Sequence, residues 1–198
     1  MKRFNLLLAA AALSLMNAGC SVFPEPATVH LLDPAPGLEP GSRTPVDASL
    51  SIALPATDPA RDSAQLLVRS DDGRLLSYPQ TRWVAPVPEL FQSRLVRVLR
   101  DGALLRDVDR GQAGRDLIAL FDLRRFELDA GGPLRAVIEL DARLLHGYDH
   151  RVLGHWHFNA VEALEGEGPA AINAAFERLF ETLAVEMTEW IARTVDSD

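Results

Sequence analysis

The sequence predicts an α+β fold: an antiparallel sheet with two helices packed on one face, preceded by a signal peptide and a Pro-rich stalk. Three observations carry this. Residues 134–145 alternate strictly, with Ala136, Ile138, Leu140, Ala142 and Leu144 on one side and Arg135, Glu139, Asp141 and Arg143 on the other. Such a pattern is a strand with one wet face, which favours antiparallel pairing. Two more long strand patterns, 116–128 and 152–161, flank it across short turns at 129–133 and 147–150, so the three form a meander. Two stretches, 86–99 and 170–195, instead repeat apolar residues at helical spacing.

The elements follow in order. Residues 28–32 form a short strand candidate, and residues 48–54 place Leu50, Ile52 and Leu54 on one side of another strand. Residues 65–69 and 74–78 flank Asp72-Gly73, a hairpin signal whose turn calls for positive φ at both central residues. Pro86 and Pro88 suit the first turn of a helix, where a missing N–H costs nothing. Leu90, Phe91, Leu95, Val98 and Leu99 share its apolar face, Arg94, Arg97 and Arg100 lie mostly opposite, and Asp101-Gly102 ends it. The strand at 116–128 is apolar at Leu117, Ala119, Phe121 and Leu123, then changes phase near Arg124-Arg125, which predicts a bulge. The last helix carries Ile172, Phe176, Leu179, Phe180, Leu183, Met187, Trp190 and Ile191 on one stripe.

The chain of 198 residues carries 20 Lys+Arg, 28 Asp+Glu and one cysteine, for a net charge of −8. That length fits one domain with appendages. The acidic balance argues against nucleic-acid binding, and one cysteine excludes a disulfide framework. Lys2 and Arg3 precede an apolar run from Leu6 to Met16, too short to cross a bilayer and right for a secretory signal. The lone cysteine, Cys20, closes this run after Ala18-Gly19, which resembles the lipobox of bacterial lipoproteins; Asn17 stands where an aliphatic residue is usual. Lipidation of Cys20 would leave no free thiol in an oxidising compartment. Ser21, in place of the aspartate of inner-membrane lipoproteins, resembles an outer-membrane address. The expected division is a signal peptide at 1–19, a lipidated cysteine and Pro-rich linker at 20–46, and a domain at 47–198. The protein is thus expected on the periplasmic face of the outer membrane, held by acyl chains.

The sequence holds little catalytic chemistry: no nucleophile elbow, no zinc-protease motif and no phosphate-cradling glycine loop. Neither enzyme activity nor a cofactor is expected. Asp71-Asp72 and Asp107/Asp109 read as solvated turns. Four histidines cluster at 146, 150, 155 and 157, and His155 and His157 share a strand face, which makes them weak candidates for a metal. The alternative is an exposed sheet face on which they alternate with inward Trp156 and Phe158. Arg82 and Trp83, just before the first helix, are candidate partner contacts; a Trp capping the core is the other reading.

Leu67-Val68-Arg69, the Asp-Gly hairpin, Arg82-Trp83-Val84-Ala85-Pro86 leading into an apolar helix, Phe126-Glu127 closing the long strand, and the terminal Ala/Phe/Leu helix occur in an order that resembles the ABC-type transport auxiliary lipoproteins, over about residues 28–195. The resemblance implies a non-enzymatic accessory whose partners are an MCE-domain protein and an ABC permease/ATPase complex moving lipid between membranes. A homo-oligomer is an arrangement it allows. Two other functions stay open: a periplasmic carrier of lipid or another hydrophobic ligand, and an assembly lipoprotein of another outer-membrane machine.

Overall fold

The computed structural model describes residues 29–39 and 45–196. They form a sheet of nine strands with two helices. The strands are β1 (His30–Leu32), β2 (Val46–Ile52), β3 (Ala56–Thr57), β4 (Gln65–Arg69), β5 (Leu75–Trp83), β6 (Leu105–Arg110), β7 (Leu117–Asp129), β8 (Arg135–His146) and β9 (Val152–Ala163). The helices are α1 (Val87–Asp101) and α2 (Gly168–Val195).

β7 organises the sheet. Along one edge it pairs antiparallel with β8, which pairs antiparallel with β9, and this is the predicted meander. Its register shifts between Leu123 and Arg125, at the predicted bulge. Along its other edge β7 meets three short strands in series, all parallel to it: β2 at Leu117–Ala119, β3 at Asp122–Leu123 and β4 at Leu128–Asp129. Residues 46–69 therefore run once past β7 and pair in three instalments. The ten residues between Thr57 and Val68 face the four between Leu123 and Leu128, and the surplus leaves the sheet as an excursion at 58–64. β6 extends the β2 side in parallel, and the β4–β5 hairpin with parallel β1 extends the other.

The α+β class and its two helices agree with expectation, but the sheet is mixed rather than antiparallel. The periodicity that locates a strand says nothing about which distant strand it joins. Other local readings also change. Leu54 is exposed, because β2 stops at Ile52 ahead of Pro55. Asp107 and Asp109 lie on β6 rather than in a turn, and both are paired to Arg115. The β4–β5 hairpin is present, but of Asp72 and Gly73 only Gly73 has positive φ; Gly73 N–H donates to Ser70 O, and Ser70 N–H to Arg74 O. This is a type I turn followed by a left-handed glycine.

Core residues from the inner sheet face meet both helices. Leu50, Ile52, Ala119, Phe126, Leu128, Ile138, Leu140 and Leu144 are at most 1% exposed, and all eight stripe residues predicted for α2 are buried. An aromatic cluster fills the space between the layers. Trp83 lies 4.8 Å from Phe176 and 5.1 Å from Phe126, while Phe91 lies 5.5 Å from Phe121 and 5.7 Å from Phe180. Trp156 stacks on Trp190 at 5.5 Å.

Part of the Pro-rich stretch belongs to this fold. Residues 33–39 run along α2 with Pro34 and Pro36 buried, while Ala35 N–H donates to Glu177 Oε1 (2.9 Å) and Gly37 N–H to Glu181 Oε1 (3.2 Å). The spacing has a simple cause. Two residues of proline-rich extended chain advance about 6 Å, and four residues of α-helix rise about 6 Å. Alternate amides therefore meet carboxylates one turn apart. Asp33 adds an ion pair to Arg94 on α1.

Candidate functional site

Cys20, Ser21 and the signal segment lie outside the described residues. Arg82 and Trp83 close β5, where alternation sends them to opposite faces. Arg82 is exposed. Trp83 is 1% exposed, within the aromatic cluster, and its indole N–H has no acceptor. Trp83 thus packs in the core, while Arg82 is at the surface.

The helices cover one face of the sheet; the other carries a trough of about 590 Å³ over β3, β7, β8 and β9. Strand register builds its floor in rungs. Asp122 stands opposite Asp141, which stands opposite His157; one rung along, Leu120 stands opposite Arg143, which stands opposite His155. His155 and His157 thus share an exposed face, as their i,i+2 spacing requires. Asp141 holds both ends of a small ionic row: Oδ1 is 2.8 Å from His157 Nδ1, and Oδ2 pairs with Arg124. A proton on Nδ1 donated to Asp141 leaves Nε2 of His157 as an acceptor.

The other two histidines stay apart from the trough. His146 Nδ1 lies 2.9 Å from Asp149 Oδ1 in the β8–β9 turn, and His150, at φ 58°, closes that turn by donating its N–H to His146 O. No group of three or more His, Cys, Asp or Glu among the described residues is placed to hold a metal ion. His155 and His157 offer two imidazoles beside one carboxylate that Arg124 already engages.

A second ionic site escaped sequence reasoning. Glu127 lies past the bulge on β7 and is 0% exposed. The 58–64 excursion folds over it and brings Arg61, 5% exposed, onto Glu127 Oε2. Arg69 Nε and Arg125 Nε reach Oε1 at 2.7 and 2.9 Å. Asp58 pairs with Arg61 from within the excursion, and Asp129 accepts from Arg125 at 2.8 Å. The Arg125 guanidinium, with the Gly131 N–H, holds the Asp129 carboxyl below its ordinary range. This lattice fastens the excursion to β7. Its only sequence signal was Glu127 beside Phe126 at the end of an apolar strand.

At the opposite end of β7, Asp116 and Ser49 exchange bonds. Asp116 Oδ2 accepts from Ser49 N–H and Oγ–H, both at 2.8 Å, and Asp116 N–H donates to Ser49 Oγ at 3.0 Å. The Ser49 backbone N–H first, then its hydroxyl, lower the Asp116 pKa.

A mixed sheet with helices on one face and an open ionic face opposite defines a two-layer α+β domain, and no helix among the described residues is long and apolar enough to cross a membrane. The chain belongs to the family of ABC-type transport auxiliary lipoprotein components, which it matches over residues 30–188. It is similar to the crystal structure of protein XCC0632 of Xanthomonas campestris, a DUF330 protein: 30% identity, TM-score 0.77, covering 86% of this chain and 98% of that one. A protein from Chlamydia trachomatis, CT253, shares the fold at 8% identity and TM-score 0.53, over 75% of this chain and 99% of that one. The uncharacterized protein bll6063 of Bradyrhizobium diazoefficiens is 32% identical over 162 residues, 80% of this chain and 43% of that protein. The chain thus spans under half the length of this curated relative.

Proposed function

We propose that this chain is a non-catalytic, lipid-anchored accessory subunit that docks an MCE-type lipid transport system at the periplasmic face of the outer membrane. The observation that carries the reading is the family match across nearly the whole described domain, 30–188. The position of the first strand adds to it. Only residues 21–28 separate Cys20 from Val29, a span of about 30 Å at full extension. With Cys20 acylated, the domain stays near the bilayer and acts as a fixed docking point rather than a shuttle. The filled aromatic core between sheet and helices also favours docking over carriage of a lipid inside the domain. The exposed ionic face is the surface left for a protein partner.

The test is crosslinking in cells followed by affinity purification of the full-length lipoprotein. The reading expects an ABC permease, its ATPase and an MCE-domain protein to be recovered together. Recovery of none of them, from a protein that still fractionates with the outer membrane, would overturn it. A Cys20→Ala variant is expected to lose that membrane fractionation.

A further inference from the structure

The exposed side of α1 carries an unusual charge pattern for so acidic a chain. Arg94, Arg97 and Arg100 recur every three residues along it, and Arg110 joins them from the end of β6 to line a groove of about 450 Å³. The acids facing this groove are few and mostly engaged. Asp33 pairs with Arg94, and Asp109 is shared between Arg100 and Arg115. Asp101 is the one acid in the lining itself, against four arginines. Arg97 and Arg110 make no ion pair among the described residues, and both are exposed. Arg94 Nε is buried with no acceptor. Burial first, and then the neighbouring Arg97, lower the Arg94 pKa.

We infer that this groove binds the phosphate of an anionic phospholipid headgroup, with Arg97 and Arg110 as its primary ligands. Guanidinium forks match phosphate oxygens in pairs, so two uncommitted arginines converging on one groove make a bidentate anion site. A phosphate there would relieve the repulsion among the four cations. The groove also lies close to the chain that leads to the anchor, because Asp33, one residue beyond β1, contacts Arg94. The inference deepens the docking reading by giving the anchored domain a headgroup contact of its own; headgroup binding and partner recovery are measured separately, so either can fail alone.

The experiment titrates the purified full-length lipoprotein in a non-ionic detergent with dihexanoyl phosphatidylglycerol. Dihexanoyl phosphatidylcholine and inorganic phosphate are the comparison arms, and binding is read by calorimetry. The expected result is saturable binding of the anionic lipid, weakened at least about tenfold by Arg97→Gln with Arg110→Gln and weakened again when NaCl is raised. Arg74→Gln, at an exposed arginine in the β4–β5 hairpin, should bind as the unaltered protein does. Equal binding of phosphatidylcholine, equal binding of inorganic phosphate, or unchanged binding in the double variant would each overturn the inference. Circular dichroism of the double variant separates lost binding from lost fold.

Discussion

Single residues of this chain hold backbone positions that can be tested directly. α1 ends in a pair of bonds, Leu104 N–H to Leu99 O and Ala103 N–H to Arg100 O. That is a Schellman closure, and its left-handed position is Ala103 at φ 48°, one residue beyond the glycine expected to end the helix. Gly102 serves packing instead, since a Cβ there would stand 3.1 Å from Leu38 Cβ. Ala103→Gly relieves about 1–2 kcal/mol of left-handed strain against about 0.4–1 kcal/mol of added unfolded-chain entropy. Urea unfolding should therefore show a net gain of about 0.5–1 kcal/mol with the slope unchanged. Gly147 marks the opposite case. A Cβ at 147 would sit 1.7 Å from Arg115 O, so Gly147→Ala must move the backbone where β8 meets the start of β7. Its midpoint should fall well below that of an alanine placed at Gly132, which has open space. Glu127→Gln leaves the buried Arg61 and the half-buried Arg69 and Arg125 without their shared carboxylate and should cost about 3–5 kcal/mol in the same assay.

Whole elements were legible in the sequence to the extent that their own residues decide them. The meander, its bulge and both helices follow from periodicity, and they stand where expected to within two or three residues. β6 did not read as a strand, because Leu105, Arg106, Asp107, Val108, Asp109 and Arg110 look like a charged turn until Arg115 pairs both aspartates. The Glu127 lattice was hidden for a related reason: a wet strand face and a covered ionic face have the same alternation, and only the excursion from 58–64 distinguishes them. Of the candidate site residues, the shared face of His155 and His157 could be read from spacing, whereas the burial of Trp83 depends on Phe126 and Phe176 from elsewhere in the chain. The β2–β7 junction makes a prediction about acid. Asp116 has a lowered pKa in the folded state, so its contribution to stability is complete above the unfolded value of about 4 and is lost as pH falls through the lower folded value. Thermal melts between pH 7 and pH 2.5 should fall at the acid end, and Ser49→Ala should flatten part of that fall, since it removes the hydroxyl but keeps the N–H. Glu177→Ala with Glu181→Ala should expose residues 33–39 to limited proteolysis while most of the Tm is retained.

On the scale of the molecule, every strand is joined to β7 directly or through one or two neighbours. The pairing partners on its two edges differ greatly in distance along the chain. β8 and β9 follow after short turns, whereas Leu50 must find Leu117 and Val68 must find Leu128. Contacts of that separation form slowly. If the signal segment directs secretion, the amino-terminal half crosses the membrane first and has to wait, with the β7-facing edges of β2 and β4 unpaired, until the central strand emerges. Pulsed hydrogen exchange during refolding should therefore protect amides of β7, β8 and β9 ahead of those in β2 and β4. In the interval, an export chaperone would find its client in the stretch from Val46 to Arg69.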